Sequence, residues 1–122
     1  MNKILYKDIS EKIIGAFYSV YNEFGNGFLE SVYEKALIIE FTERNLSAEA
    51  QKSLVVKYHN QLIGEFRADI VVENKIIIEV KAVSQVNRSH EAQLLNYLKV
   101  TGLRVGFLVN FGKQLEFKRR VL

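Results

Sequence analysis

The sequence predicts a single α/β domain, a mixed central sheet flanked by helices, and three observations carry that expectation. Stretches with apolar residues at three- and four-residue steps alternate with β-branched runs bounded by polar turns, in the order helix, helix, three strands, helix, strand. Ile70, Val71, Val72, Ile76, Ile77, Ile78 and Val80 make two of those strands apolar on both faces, so helices must cover the sheet on both sides. The 122 residues contain no repeat, linker or low-complexity segment, and a chain of that length builds one core, so the domain is expected to span residues 1–122.

The elements follow in order. Ile9, Ile13, Ala16, Phe17, Val20 and Phe24 place an amphipathic helix from about Asp8 to Phe24, ended by Gly25. Asn26-Gly27 turns the chain into a second helix from about Leu29 to Arg44, with Leu29, Val32, Tyr33, Ala36 and Leu37 on its apolar stripe and Asn45 as its stop. Strands are expected near Lys52–Tyr58, Leu62–Val72 and Ile76–Val83, the first pair joined through His59-Asn60-Gln61 and the second through Glu73-Asn74-Lys75. After a polar loop, Ser89 is placed to N-cap a helix running to Thr101, with Gly102 as its C-terminal stop. A strand at Arg104–Asn110 and a short charged edge strand at Leu115–Arg119 complete the chain.

Composition narrows the function. Hydrophobic residues at 48% and charged residues at 25% are globular values, against disorder and against a coiled coil. The chain has no cysteine, which excludes disulfides and thiolate metal sites. The amino-terminal stretch Met1 to Asp8 has no apolar core of a signal peptide, and no segment approaches the ~20 apolar residues of a membrane span, so a cytoplasmic location is expected. A net charge of +3 and a pI near 9.1 suit a polyanion-binding protein. Lys99, Arg104 and Lys113 are candidates for a phosphate-contacting rim, while the terminal Lys118-Arg119-Arg120 reads more simply as a solvated tail.

The feature that bears most on chemistry is Asp69 with Glu79-x-Lys81, three charges on two otherwise apolar strands. If Val72 pairs with Ile76 across the turn, Asp69 falls opposite Glu79, and the period of two puts Lys81 on the face of Glu79. Two carboxylates ~5 Å apart at an effective dielectric of about 20 repel by roughly 3 kcal/mol. A bound cation reverses that sign: Mg²⁺ takes oxygen ligands, typically one or two carboxylates completed by waters and phosphate. The bland reading, Lys81 paired to one carboxylate on a solvated face, competes with it, because this pattern is loose.

Further candidates surround the triplet. Gln93 and Tyr97 share a helix face, with His90 one turn earlier, on the helix that follows the Lys81 strand. Gly27-x-x-Glu30-x-x-Tyr33 sets a glutamate in the first turn of a helix, where the dipole favours it by about 0.3–1 kcal/mol and capping alone explains it. Glu30 as a third carboxylate for the cation is the functional alternative, with Glu34 and Glu40 as competitors.

In that order, a helical glutamate, Asp69, Glu79-x-Lys81 and Gln93-x-x-x-Tyr97 resemble the PD-(D/E)XK nuclease superfamily. More narrowly, Gly27-x-x-Glu30-x-x-Tyr33, the run from His90 to Tyr97 and the run from Gly102 to Gly112 resemble the GxxExxY protein family. Ala68 stands where the superfamily's name has proline. The resemblance implies a restriction-endonuclease-like αβββαβ core and Mg²⁺- or Mn²⁺-dependent hydrolysis of phosphodiester bonds. It implies Asp69, Glu79 and Glu30 as metal ligands, Lys81 at the nucleophile, and Gln93, Tyr97 and Tyr33 as accessory residues. The function expected is therefore a DNA nuclease, with RNA as the other polymer; a non-catalytic module binding nucleic acid or protein on the same fold is the alternative. So small a chain has little room for base-reading elements, which leaves specificity to a homodimer or a partner.

Overall fold

The computed structural model describes residues 4–122; the first three residues of the amino-terminal stretch lie outside the described residues. The elements are α1 (Lys7–Phe24), α2 (Glu30–Glu43), β1 (Ala48–Tyr58), β2 (Gln61–Val72), β3 (Ile76–Lys81), α3 (Arg88–Thr101), β4 (Val105–Phe111) and β5 (Leu115–Val121). They form one five-stranded sheet in the order β1-β2-β3-β4-β5. Neighbouring strands are antiparallel except β3 and β4, which run parallel because α3 carries the chain back over the sheet between them.

Each face of the sheet is sealed separately. Ile13, Phe17 and Val20 of α1 and Leu37 and Phe41 of α2 pack with Ile70, Val72, Ile76, Ile78 and Val80 on one face. Leu94, Tyr97 and Leu98 of α3 pack with Leu54, Ala68, Val71, Ile77 and Leu108 on the other. The alternation of Ile76, Ile78 and Val80 against Ile77 along β3 is the period-two expectation for a strand covered on both sides.

Turn chemistry sets the connections. His59 and Asn60 at φ 49° and 63°, and Glu73 and Asn74 at φ 54° and 53°, supply the left-handed backbone that a tight hairpin requires. Gly25, at φ 64°, closes α1 by donating its N–H to the Tyr21 carbonyl at 2.7 Å. Tyr33, fully buried, stacks parallel on Phe111 with ring centroids 4.3 Å apart. Its hydroxyl donates to the Gly25 carbonyl at 2.7 Å and accepts from the Phe28 N–H at 3.3 Å. The tyrosine of the Gly27-x-x-Glu30-x-x-Tyr33 pattern thus ties the loop between α1 and α2 to the core.

Several boundaries differ from the sequence expectation. β1 begins at Ala48 because Ala48 and Glu49 pair with Val72 and Val71. The cap of α3 is Asn87, not Ser89: its Oδ1 accepts from the N–H groups of Ser89 and His90 at 2.9 and 3.3 Å, and His90 Nδ1 accepts from the Asn87 N–H at 3.2 Å. β3 stops at Lys81 because the side chain of Asn110 takes over beyond it, accepting from the Val83 N–H at 2.9 Å and donating to the Val83 carbonyl at 3.0 Å. The terminal basic run is no solvated tail. It lies in β5, where Lys118 and Arg120 pair with Glu91 of α3 and Arg119 bonds the Leu5 carbonyl and Ser10 of α1.

Candidate active site

The site begins where β2 leaves its neighbours. Rungs Val72↔Ile76, Val71↔Ile77 and Ile70↔Ile78 join β2 to β3, and the ladder ends there. One residue further, side chains replace the backbone rung: the Asp69 N–H donates to Glu79 Oε2 at 2.9 Å, and the Val80 N–H donates to Asp69 Oδ2 at 2.8 Å. On the other side, pairing to β1 skips from Ala50↔Ile70 to Lys52↔Ala68, and the skipped Gln51 sits at φ 52°. Ala68 and Val71 both belong to the α3-side core while Ile70 belongs to the opposite one, so the in–out alternation of β2 slips by one residue at Asp69. The slip places the Asp69 carboxylate in the gap between β2 and β3.

Electrostatics mark the spot as strained. Glu79 is only 4% exposed, and its carboxyl is pushed up to about 8, first by burial and then by the Asp69 charge, with the Lys81 charge opposing. Lys81 is half-buried, yet among the described residues it makes no ion pair within 4.0 Å. Its ammonium is therefore near the acids without being engaged by either, unlike the paired arrangement of the bland reading.

α3 overlooks this pair. Tyr97 is 5% exposed, and its hydroxyl accepts from Gln93 Nε2 at 2.9 Å. The phenol is raised above its ordinary range by burial first and by the charges of Glu79 and Asp69, against the Gln93 bond. Tyr97 thus lies within the field of the acids, with Gln93 holding its hydroxyl. His90 is occupied by the helix cap.

The helical acid drawn toward the pair is Glu34. Gln51 Nε2 donates to Glu34 Oε1 at 2.8 Å and lies a long 3.5 Å from Asp69 Oδ1, bridging the two carboxylates. Glu34 is raised by burial and by the charges of Asp69 and Glu30, with the Gln51 bond acting against. Among the described residues no three acidic or imidazole side chains converge into a ligand group, so Glu30 does not stand with Asp69 and Glu79 as one set. Gln51 escaped sequence reasoning because its importance comes from a left-handed backbone that no residue preference announces at glutamine.

The basic candidates do not form one rim. Lys113 follows Gly112 in the turn after β4, at the Lys81 end of the sheet, where Lys81 pairs with Asn110. Arg104 precedes Val105, the partner of Ile76; at ~3.3 Å per residue it stands roughly 17 Å or more away along the strand. Lys99 is exposed on the last turn of α3. Parallel pairing of β3 and β4 separates Arg104 from Lys113, which spacing along the chain conceals.

The donor set fits a hard divalent cation. Two carboxylates meet at a gap in the sheet, one pushed toward its protonated form by burial and then by the other's charge, and an oxygen-seeking cation relieves that conflict with the remainder of its shell left to water and phosphate.

Comparisons with known proteins bear on the fold and the family. The chain is similar in fold to SSO0001, known from a crystal structure, with a TM-score of 0.61 over 95% of this chain at 19% identity. It spans 57% of that chain's length. No curated protein matches the sequence. The profile of the PD-(D/E)XK nuclease superfamily covers residues 7–121, through every element that builds the gap around Asp69 and Glu79, and the chain belongs to that superfamily.

Proposed function

We propose that the chain is a metal-dependent nuclease that hydrolyses phosphodiester bonds in DNA, of the GxxExxY kind within its superfamily, acting in the cytoplasm. The observation that carries this reading is the Asp69–Glu79 pair, each carboxylate bonded to a backbone N–H of the opposite strand, beside a Lys81 that has no ion pair among the described residues. A buried carboxyl raised in pKa beside a second acid and an ammonium, where the β2–β3 ladder ends, is the kind of perturbed cluster that marks a site with a chemical task.

Asp69 and Glu79 would hold Mg²⁺ or Mn²⁺, which supplies a nucleophile near neutral pH and neutralises charge on the phosphate. The chain's own residues do the rest. Lys81 orients the attacking water and stabilises the charge that grows on the phosphate oxygens, at no cost from breaking an existing ion pair. The Gln93–Tyr97 pair sets the polarity of the wall that α3 presents to the acids. Glu34, through Gln51, fixes the Asp69 side, with Glu30 adding charge behind it. Lys99 and Lys113 guide the polyanion, with Arg104 an outlying contact, and a second copy or a partner supplies specificity.

Incubation with plasmid, linear and branched DNA, and with RNA, in Mn²⁺ tests the reading. Cleavage abolished by Asp69→Asn and by Lys81→Ala supports it. Tight binding with no cleavage on any of these substrates assigns the chain to the non-catalytic module instead.

A further inference from the structure

A groove of about 290 Å³ lies between the β1–β2 hairpin and the last turn of α3, with Ile63, Gly64, Phe66, Asn96, Lys99 and Val100 among its walls. We propose that this groove binds one unpaired nucleotide of the DNA strand that crosses the acid pair, so that the substrate is single-stranded, frayed or flapped rather than continuous duplex. The proposal rests on the nuclease reading for the strand's path past the acids.

Three features converge on it. The first is an aromatic platform joined to the site: the Phe66 ring is 41% exposed and packs at 5.4 Å and 45° on Tyr97, the phenol that feels the charges of Glu79 and Asp69. Phe66 is thus backed by Tyr97 and lines the groove with part of its surface exposed. The second is the polar complement. Asn96 and Lys99 are both exposed, and neither side chain has a hydrogen-bond or ion-pair partner among the described residues. Base stacking on an aromatic ring, an amide for the base edge and an ammonium for the phosphate are what a single strand asks of a protein. A stacked duplex offers no bare base face.

The third feature is Gly64. A glycine inside a strand weakens it and often marks a bulge or the close approach of a ligand. The strand does shift register between Val56 and Lys57, opposite Gly64, but Gly64 is not among the positive-φ glycines, so the shift does not require glycine. Nor do neighbours forbid a side chain: a Cβ there would meet only Val56, at 3.8 Å. The space above Gly64 is the groove itself, and a side chain would fill it.

The test measures binding of the full chain in EDTA to a short oligodeoxynucleotide carrying a fluorescent adenine analogue, single-stranded and as a duplex. The single strand is expected to bind about tenfold more tightly, with quenching of the analogue as it stacks. Phe66→Leu, which keeps apolar bulk against Tyr97, should weaken single-strand binding roughly tenfold. Lys99→Ala should lower the slope of log K against log salt by about 0.7. Gly64→Val should abolish the quenching while leaving the melting temperature unchanged or higher. Equal affinity for duplex and single strand, or wild-type binding by Gly64→Val, overturns the proposal. Cleavage in Mn²⁺ that all three substitutions leave untouched also overturns it and leaves the nuclease standing. The expected binding pattern without cleavage in any metal supports the groove and removes the nuclease reading.

Discussion

At the scale of residues, Glu79 sets the pH behaviour of the metal-free protein. Its carboxyl titrates near 8 in the fold against 4.5 in an unconstrained chain. Between those values the folded state holds a proton that the unfolded state has released, so stability falls as pH rises through the window. Thermal melts in EDTA should show the melting temperature decreasing from pH 5 to 8, and Glu79→Gln should flatten that dependence. A wild-type profile already flat would show Glu79 ionising as an ordinary carboxylate. Lys81 gives the complementary case: having no ion pair to lose, Lys81→Ala should change stability by no more than about 0.5 kcal/mol while lowering cleavage by roughly 100-fold or more. Circular dichroism melts and single-turnover assays on the same preparation separate the two effects.

At the scale of elements, the placement of α3 decides where Tyr97 stands, and Leu94 of α3 packs directly over Gly106 of β4. A Cβ at Gly106 would stand 2.6 Å from Leu94 Cδ1 and 3.3 Å from the Ile77 carbonyl, so the buried Leu94 side chain occupies the space that a side chain there would need. Gly106→Ala should lift the helix or distort the strand at a cost of about 1–3 kcal/mol, the usual range for overpacking, readable as a lower urea midpoint. Removing the cap by Asn87→Ala should cost ~1 kcal/mol through loss of the bonds to Ser89 and His90, with no effect on the Asp69–Glu79 geometry. Asn110 does for the end of β3 what a further rung would do, since it bonds both backbone groups of Val83, just past Lys81.

At the scale of the whole molecule, cation binding and folding are linked. If Asp69 and Glu79 share an ion, Mg²⁺ should displace the Glu79 proton, and the protein should melt at higher temperature as Mg²⁺ or Mn²⁺ is added. Asp69→Asn should remove most of that response and Glu30→Gln little of it, because Glu30 lies outside the pair. Calorimetry with and without a short oligonucleotide checks this: no heat of binding and no change in melting temperature in either condition would favour the binding module. No helix among the described residues is long and apolar enough to cross a membrane.

The sequence by itself determined the element order, the mixed sheet with both faces covered, and the register that sets Asp69 against Glu79. Apolar periodicity and turn residues are local signals, and Val72↔Ile76 follows from the turn alone. It could not show that the ladder breaks one residue early, that Gln51 turns left-handed to reach Glu34, or that Asn110 clasps Val83, because each depends on a partner in another element of the fold. It left Glu30 and Glu34 open since both lie on one helix, and only the position of α2 against β1 chose the one that Gln51 touches. It grouped Arg104 with Lys113 by nearness in the chain, whereas a strand separates its two ends in space by its full length. Local patterns fix which backbone each segment adopts; the meeting of side chains from distant segments is decided only when the helices close over the two faces of the sheet.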